Sequence, residues 1–456
     1  MNTADEPPST SPPSPRRRTT STVRHTRAIQ RDRSKRPLVA PPPAEIEAHL
    51  TALIHPLTLS QVAHYHDLGL RQRVLSLPVL VALTLSMIWR QIGSVRTLVQ
   101  VLHHEGLLWT APVQVSPQAL SLRLRTVPAV LFHRVLHDLL PLMHVRAQER
   151  TRPLPPVLAW AQARFPAVLA VDGSTLDGLV RKVGLLRDHP DTPLAGRMTA
   201  LLDVCTRLPR HLWDESEATA SDQRLWPALL DALPCGALLL FDLGYTNFAM
   251  FARLTAAHVT FVTRAKSNVA VTVERTLRQT ADGSDVLVWI GRGAERQQRR
   301  LISVRQPTGW QRFLTNACDP HVLPPEYAVA LYAQRWRIED GYALVKRLRG
   351  LAYFWVGGDN GVQVHLWATW LLYAVLVDLT DAVAHEVHQP VAALSLEMLY
   401  RSLYCYTGAY QRGTASEVVS FLAAHAPSLG MLKPSRSRAR APSALDLARL
   451  SFAAAP

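Results

Sequence analysis

The sequence predicts an α/β protein with a β-rich insertion, flanked by helical N-terminal and C-terminal regions. Three observations predict it. Two short aliphatic runs, VLAV and LLLF, each lead into an aspartate with a glycine close behind, the pattern of central strands that are covered on both faces. Amphipathic helical stretches alternate with strand-like runs between about residues 160 and 268. Short alternating segments between about 269 and 315, broken by turn residues, read as a β-rich insertion.

Taken in order, residues 1–44 are rich in Pro, Ser, Thr and Arg and predict a disordered basic arm. Residues 45–150 are helical in pattern: EIEAHLTALIHPL, LPVLVALTLSMIWR, VRTLVQVLHHEGLL and VPAVLFHRVLHDLLPLM all place apolar residues at helical spacing. VSPQALSLRLR predicts a capped helix start, with Ser116 as N-cap and Pro117 at the first helical position. This block reads as a DNA-binding domain or as a plain helical bundle.

Residues 160–268 form the first part of the core. The predicted order is a strand ending at Asp172, two strands joined through Leu208 and Pro209, a helix, a strand ending at Asp242, a helix and a strand. The insertion, 269–315, follows, with ADGSD as a hairpin turn. Residues 316–385 form the second part of the core and open with LYAQRWRIEDGYALVKRLRG. The apolar run LWATWLLYAVLVDL beyond it is too short to span a bilayer and predicts a buried core helix, with no membrane role. Residues 386–456 are helical with a basic tail.

The chain carries 50 Lys and Arg against 35 Asp and Glu, a formal net charge of +15. Such a protein seeks polyanions, with nucleic acid first among them. The tails contribute, but ERQQRRLISVR shows that the excess is not confined to them. Cys205, Cys235, Cys318 and Cys405 stand far apart, form no zinc-type spacing, and read as buried thiols of a reducing compartment. The opening residues lack a signal-peptide pattern, which leads us to expect a cytoplasmic protein. No phosphate-binding glycine loop appears, so no nucleotide cofactor is implied.

The segment from Leu331 carries the chemistry. On one helix, at about 100° per residue, Tyr332, Arg335, Glu339 and Lys346 fall within roughly 60° of each other. Ile338, Leu344, Val345, Leu348 and Leu351 lie toward the other side. A helix docked by that aliphatic stripe would turn a phenol, a guanidinium, a carboxylate and an ammonium into a cleft. Asp340 points about 100° away from Glu339, which makes Glu339 the preferred ligand. Singly, each charge reads as a solvated face and each aspartate as a strand end. Jointly, Asp172, Asp242 and Glu339 supply the hard oxygen donors that two Mg²⁺ ions need for phosphoryl transfer.

The spacing of Tyr332, Arg335, Glu339 and Lys346, with VDGSTL around Asp172 and FDLGYTNF around Asp242, resembles the DDE transposases of the insertion-sequence-four family. FVTRAKSN and FLTNACDP are also similar to segments of its members. Leu243 departs from the pattern, where arginine is common. The resemblance runs from about Leu57 to Thr407. It implies an RNase H-like catalytic core in which Asp172, Asp242 and Glu339 hold two Mg²⁺ ions, with Mn²⁺ able to substitute. It further implies cut-and-paste transposition of an insertion sequence through a hairpin intermediate. Its DNA partners would be double-stranded terminal inverted repeats and target DNA, held by a homodimer. Tyr332, Arg335 and Lys346 would contact phosphates near the cleavage point. Trp336, and less strongly Trp310, would stack on an unstacked base; core packing is the other reading for both. A transposase-derived DNA-binding regulator without catalysis, or a nuclease of the same core fold, remain alternatives.

Overall fold

A computed structural model describes residues 44–452, apart from residue 72 and the stretches 176–196, 216–220, 267–268, 294–295, 307–308, 352–358 and 434–443. The basic arm and the stretch SRSRARAP therefore lie outside the described residues, the arm but for Ala44.

The helical block opens the chain with α1 (Ala44–Ser60), α2 (Val62–Asp67), α3 (Leu77–Trp89), α4 (Val95–His104), α5 (Pro117–Thr126) and α6 (Ala129–Glu149). Helix α3 is apolar on every side and buried along nearly its whole length, so the other helices must wrap it. Ser116 caps α5 as its sequence predicts: the hydroxyl accepts the Ala119 N–H at 3.1 Å, with Pro117 following.

A seven-residue helix, α7 (Pro156–Gln162), leads into the sheet. Its strands are β1 (Val168–Thr175), β2 (Arg197–Asp203), β3 (Pro209–Glu215), β4 (Leu238–Phe241), β5 (Thr260–Arg264), β6 (Val271–Gln279), β7 (Gly283–Ile290), β8 (Gln297–Gln306) and β9 (Gly309–Thr315). They form one nine-stranded sheet in the order β3-β2-β1-β4-β5-β9-β8-β7-β6. The neighbours β1, β4 and β5 run parallel, and α8 (Trp226–Ala232) and α9 (Phe248–Ala256) lie between strands in the chain. This is the predicted mixed α/β architecture, an RNase H-like core with helical flanks. The four insertion strands are not a separate lobe. They extend the core sheet, because β9 pairs with β5 at Val262↔Thr315, Thr263↔Leu314 and Arg264↔Phe313.

The pleat sorts the side chains into two cores. Val168, Ala170, Leu238, Leu240 and Val262 face one, and Leu169, Val171, Leu239, Phe241 and Phe261 face the other. On the first face lie α10 (Pro325–Ala333), α11 (Arg337–Leu351) and α12 (Asp359–Glu386). Ile338, Leu344, Val345 and Leu348 are buried there, as their spacing predicts. The motif is nevertheless not one continuous helix. A 3₁₀ turn, Gln334–Trp336, interrupts it between α10 and α11. No proline or glycine announces that break. The tighter winding separates neighbouring side chains by about 120°, and it buries Arg335 while leaving Trp336 59% exposed.

Helix α12 is long and apolar enough to cross a membrane by length and composition, yet 94% of its apolar window is buried inside the fold. The expectation that this segment is too short to span a bilayer is corrected, because the helix runs well beyond the apolar run; its burial in the core is as predicted. The chain continues through α13 (Leu396–Gln411), α14 (Val418–Ala424) and α15 (Ala444–Ser451). Helix α15 docks on α10 and β8, and the Thr280 hydroxyl donates to the Ser451 carbonyl at 2.5 Å. The expectation of four buried thiols is corrected. Cys205 is buried and Cys318 intermediate, whereas Cys235 and Cys405 are exposed. Cys235 sits in a turn, and Cys405 lies on the outer face of α13, whose inner face is Leu399, Leu403 and Tyr406.

Candidate active site

Register alone brings the two aspartates together. Val171 and Phe241 are paired on the parallel strands β1 and β4, and Asp172 and Asp242 are the next residue of each chain segment. By the period-two alternation both belong to the face occupied by α10 and α11. Each carboxylate is steadied by the amide that follows it: Gly173 N–H donates to Asp172 Oδ1 at 2.9 Å, and Leu243 N–H to Asp242 Oδ1 at 2.8 Å.

The motif segment brings the third carboxylate to the same place. Arg335 lies at the centre. Its Nη1 is 3.4 Å from Asp172 Oδ2, and its Nη2 is 3.2 Å from Glu339 Oε1 and 4.0 Å from Asp242 Oδ2. The Arg335 side chain is 6% exposed, and its Nε is buried without a hydrogen-bond partner. The Tyr332 hydroxyl donates to Asp242 Oδ1 at 3.2 Å. Trp336 stands at the solvent edge, with the Arg335 guanidinium carbon 5.3 Å from its ring centroid. Trp310, on β9, is 49% exposed, so neither tryptophan is a core residue. Lys346 lies on α11, but its side chain is outside the described residues. Asp340 turns away, as expected, and pairs with Arg207 at 3.0 Å.

The electrostatics follow from this crowding. Burial pushes the Asp172 carboxyl up to about 6; Glu339 and Asp242 push the same way, while Arg335 and the Gly173 N–H oppose them. Burial opposes the charged Arg335 guanidinium, but Tyr332, Asp172, Asp242 and Glu339 outweigh it, and its pKa ends above the ordinary arginine value. Burial, then the Asp242 charge, raises the Tyr332 phenol, which stays a neutral donor.

These residues fit a divalent cation by charge and donor type. Three carboxylates from three separate elements meet around one guanidinium, which leaves two negative charges over. All the facing donors are hard oxygens. With the side chains as they stand, no three His, Cys, Asp or Glu side chains among the described residues are gathered closely enough to hold an ion. The Arg335 guanidinium lies among Asp172, Asp242 and Glu339.

Three supporting residues escape sequence reasoning. Tyr342 is buried, donates to the Asp172 carbonyl at 2.7 Å and accepts the Ala200 N–H at 2.9 Å, which ties α11 to both β1 and β2. Arg197 and Asp222 form an ion pair that passes over both glycines beside the aspartates. A side chain at Gly173 would meet the Arg197 guanidinium, and one at Gly244 would meet the Asp222 carboxylate at 2.5 Å. The sequence shows a glycine close behind each aspartate, but the ion pair that lies against these glycines leaves no sequence signal.

Comparison with known proteins finds similarity to transposases. Residues 195–375 match the family model described as "Transposase DDE domain". The match contains Asp242 and Glu339 and begins after Asp172. A protein of Sinorhizobium fredii named "Putative transposase y4zB" is 29% identical over 191 residues, 40% of this chain and 52% of the relative. The chain thus spans about half the length of the curated relative it matches.

Proposed function

We propose that this chain, which carries a transposase DDE domain, is a transposase of the insertion-sequence-four kind that moves its own DNA element by cut and paste. The observation that carries the reading is the meeting of Asp172, Asp242 and Glu339 within 4.0 Å of one guanidinium. The three carboxylates would hold divalent cations, Mg²⁺ or Mn²⁺. When bound, these supply Lewis-acid stabilisation of phosphoryl oxygens and activation of a water or a 3′-hydroxyl.

The chain's own residues position the DNA. Trp336, exposed beside the cluster, offers an aromatic face for a base that leaves the stack at a sharp bend. Tyr332 stays neutral and offers its hydroxyl as a donor. Arg335 and Lys346 provide cations for the phosphates flanking that base. Water attack would release the 3′ end of the transferred strand. The freed hydroxyl would attack the opposite strand to give a hairpin, a second water would open it, and the same hydroxyl would join target DNA. The basic excess of the chain supports double-stranded DNA, both terminal inverted repeats and target, as partner. Bringing two ends together calls for a homodimer, acting at the nucleoid in the cytoplasm.

The test is cleavage of DNA carrying the element's own ends, with and without Mg²⁺ or Mn²⁺. Metal-dependent nicking followed by hairpin formation is expected, abolished in Asp172→Asn, Asp242→Asn and Glu339→Gln while end binding persists. End binding without cleavage under any metal would favour a DNA-binding regulator. Nicking without strand joining would favour a nuclease of the same core fold.

A further inference from the structure

Arg335 is placed unusually for a residue that meets DNA. Its donors face Glu339 at 3.2 Å, Asp172 at 3.4 Å and Asp242 at 4.0 Å, and only 6% of its side chain reaches solvent. The neighbouring Trp336 takes the exposed position instead. Without that guanidinium, three carboxylates from β1, the end of β4 and α11 would face one another, with Asp172 the most deeply covered of the three.

We propose that Arg335 is the resident counter-ion of the carboxylate cluster: it gathers and neutralises Asp172, Asp242 and Glu339 until a divalent cation takes its place. The inference rests on the reading of the cluster as a divalent-cation site. A divalent cation seated among these carboxylates would stand close to the guanidinium charge, and that repulsion favours loading as an exchange of one cation for another. The 3₁₀ turn Gln334–Trp336 lies where that exchange must be absorbed, since a short 3₁₀ stretch between two α-helices is a natural hinge. On leaving the carboxylates, the guanidinium remains beside the Trp336 ring, free to pair with a phosphate. Arg335 then becomes available to DNA only once the carboxylates are loaded, which orders cation binding before tight engagement of the cleavage point.

The experiment measures Mn²⁺ affinity, from the electron paramagnetic resonance of free Mn²⁺, and the melting temperature with and without Mn²⁺. The full chain is compared with Arg335→Gln, Arg335→Lys and Glu339→Gln. Arg335→Gln should bind Mn²⁺ about tenfold more tightly, because a competing charge is gone. It should also melt at a lower temperature when metal-free and regain more on adding Mn²⁺ than the wild type does. Arg335→Lys keeps the competing charge, though not the fork, and should bind Mn²⁺ less tightly than Arg335→Gln, within about threefold of wild-type affinity. Equal or weaker Mn²⁺ binding by Arg335→Gln overturns the inference. Should that variant fail to fold, the wild type serves: Mg²⁺ should change its tryptophan fluorescence, and the change should vanish in Trp336→Phe. No such difference at a Mg²⁺ concentration that displaces Mn²⁺ overturns it. If the wild type binds Mn²⁺ and Glu339→Gln weakens that binding, the site reading stands even when the counter-ion role fails. A wild type that binds no Mn²⁺ removes both.

Discussion

Arg300 and Asp285 meet as a two-pronged ion pair, Nε to Oδ1 at 2.7 Å and Nη2 to Oδ2 at 2.6 Å, with the side chains 0% and 1% exposed. The remaining Arg300 nitrogen donates to the Leu323 carbonyl at 2.6 Å and the Ala317 carbonyl at 3.3 Å. The pair joins β7 and β8 of the insertion to the segment that leads into α10, and so to Tyr332. Removing one partner strands the other charge without water. Asp285→Asn should therefore destabilise the protein by about 3–5 kcal/mol, read as a shifted denaturant midpoint. A loss under about 1 kcal/mol would mean that the pair is not buried as described.

Asp172 makes stability depend on pH in an unusual sense. Its pKa is pushed up to about 6, mainly by burial. A carboxyl that holds its proton more firmly in the folded state favours folding below its unfolded pKa near 4, and that contribution fades as pH rises to 6. Asp172→Asn should thus gain stability relative to wild type between about pH 4 and 6, on the order of 2 kcal/mol, and stay level above. Parallel melting curves across that window would refute the assignment. Cation affinity should also fall below about pH 6, where the bound ion must compete with the proton.

Asp378 carries the opposite sign. The side chain, 1% exposed on α12, accepts from Arg150 at 2.7 Å and Arg146 at 3.0 Å on or beside α6, with His49 of α1 at 3.7 Å. Burial alone would raise its pKa, but the nearby His49 imidazole and the hydrogen bonds from Arg146 and Arg150 hold it well below the usual carboxylate range. Its contribution is present above pH 4 and is lost as pH falls further. Asp378→Asn should cost about 3 kcal/mol or more at pH 7 and progressively less below pH 4. Because the contact joins the N-terminal helices to the core, unfolding followed by separate probes in the two regions should cease to coincide.

A side chain at either glycine that follows an aspartate should push the Arg197–Asp222 ion pair aside. A Cβ at Gly244 would stand 2.5 Å from the Asp222 carboxylate, and one at Gly173 would press on Arg197. Gly244→Ala and Gly173→Ala should each cost about 1 kcal/mol, through the displaced ion pair. Gly244→Ala combined with Asp222→Ser should recover part of that loss. No recovery in the double variant would show that the clash lies elsewhere.

The strand order and the three carboxylates were legible because each leaves a local trace. Aliphatic runs before Asp172 and Asp242 mark central strands, and the spacing from Tyr332 to Glu339 marks one face of a segment. The parallel register of β1 and β4 sets Asp172 beside Asp242, and α11 brings Glu339 to them. What remained hidden depends on contacts between residues distant in sequence. The pairing of β5 with β9 turns an insertion into a continuation of the sheet, and no local pattern announces it. The 3₁₀ turn at Gln334–Trp336 arises without a proline or glycine, because the winding answers to where Arg335 and Trp336 end up. Arg197 and Asp222 lie 25 residues apart and look like surface charges. Cys235 and Cys405 show that spacing excludes a metal knuckle but does not decide burial.

The ladder from β5 into β9 has a mechanical consequence. Hydrogen bonds at Val262, Thr263 and Arg264 weld the insertion to the strand adjoining the one that delivers Asp242. A welded sheet behaves as a stiff beam, so whatever its far end grips stays at a fixed offset from the carboxylates. Any bending then falls to the short turn carrying Arg335, and the platform beneath it stays put.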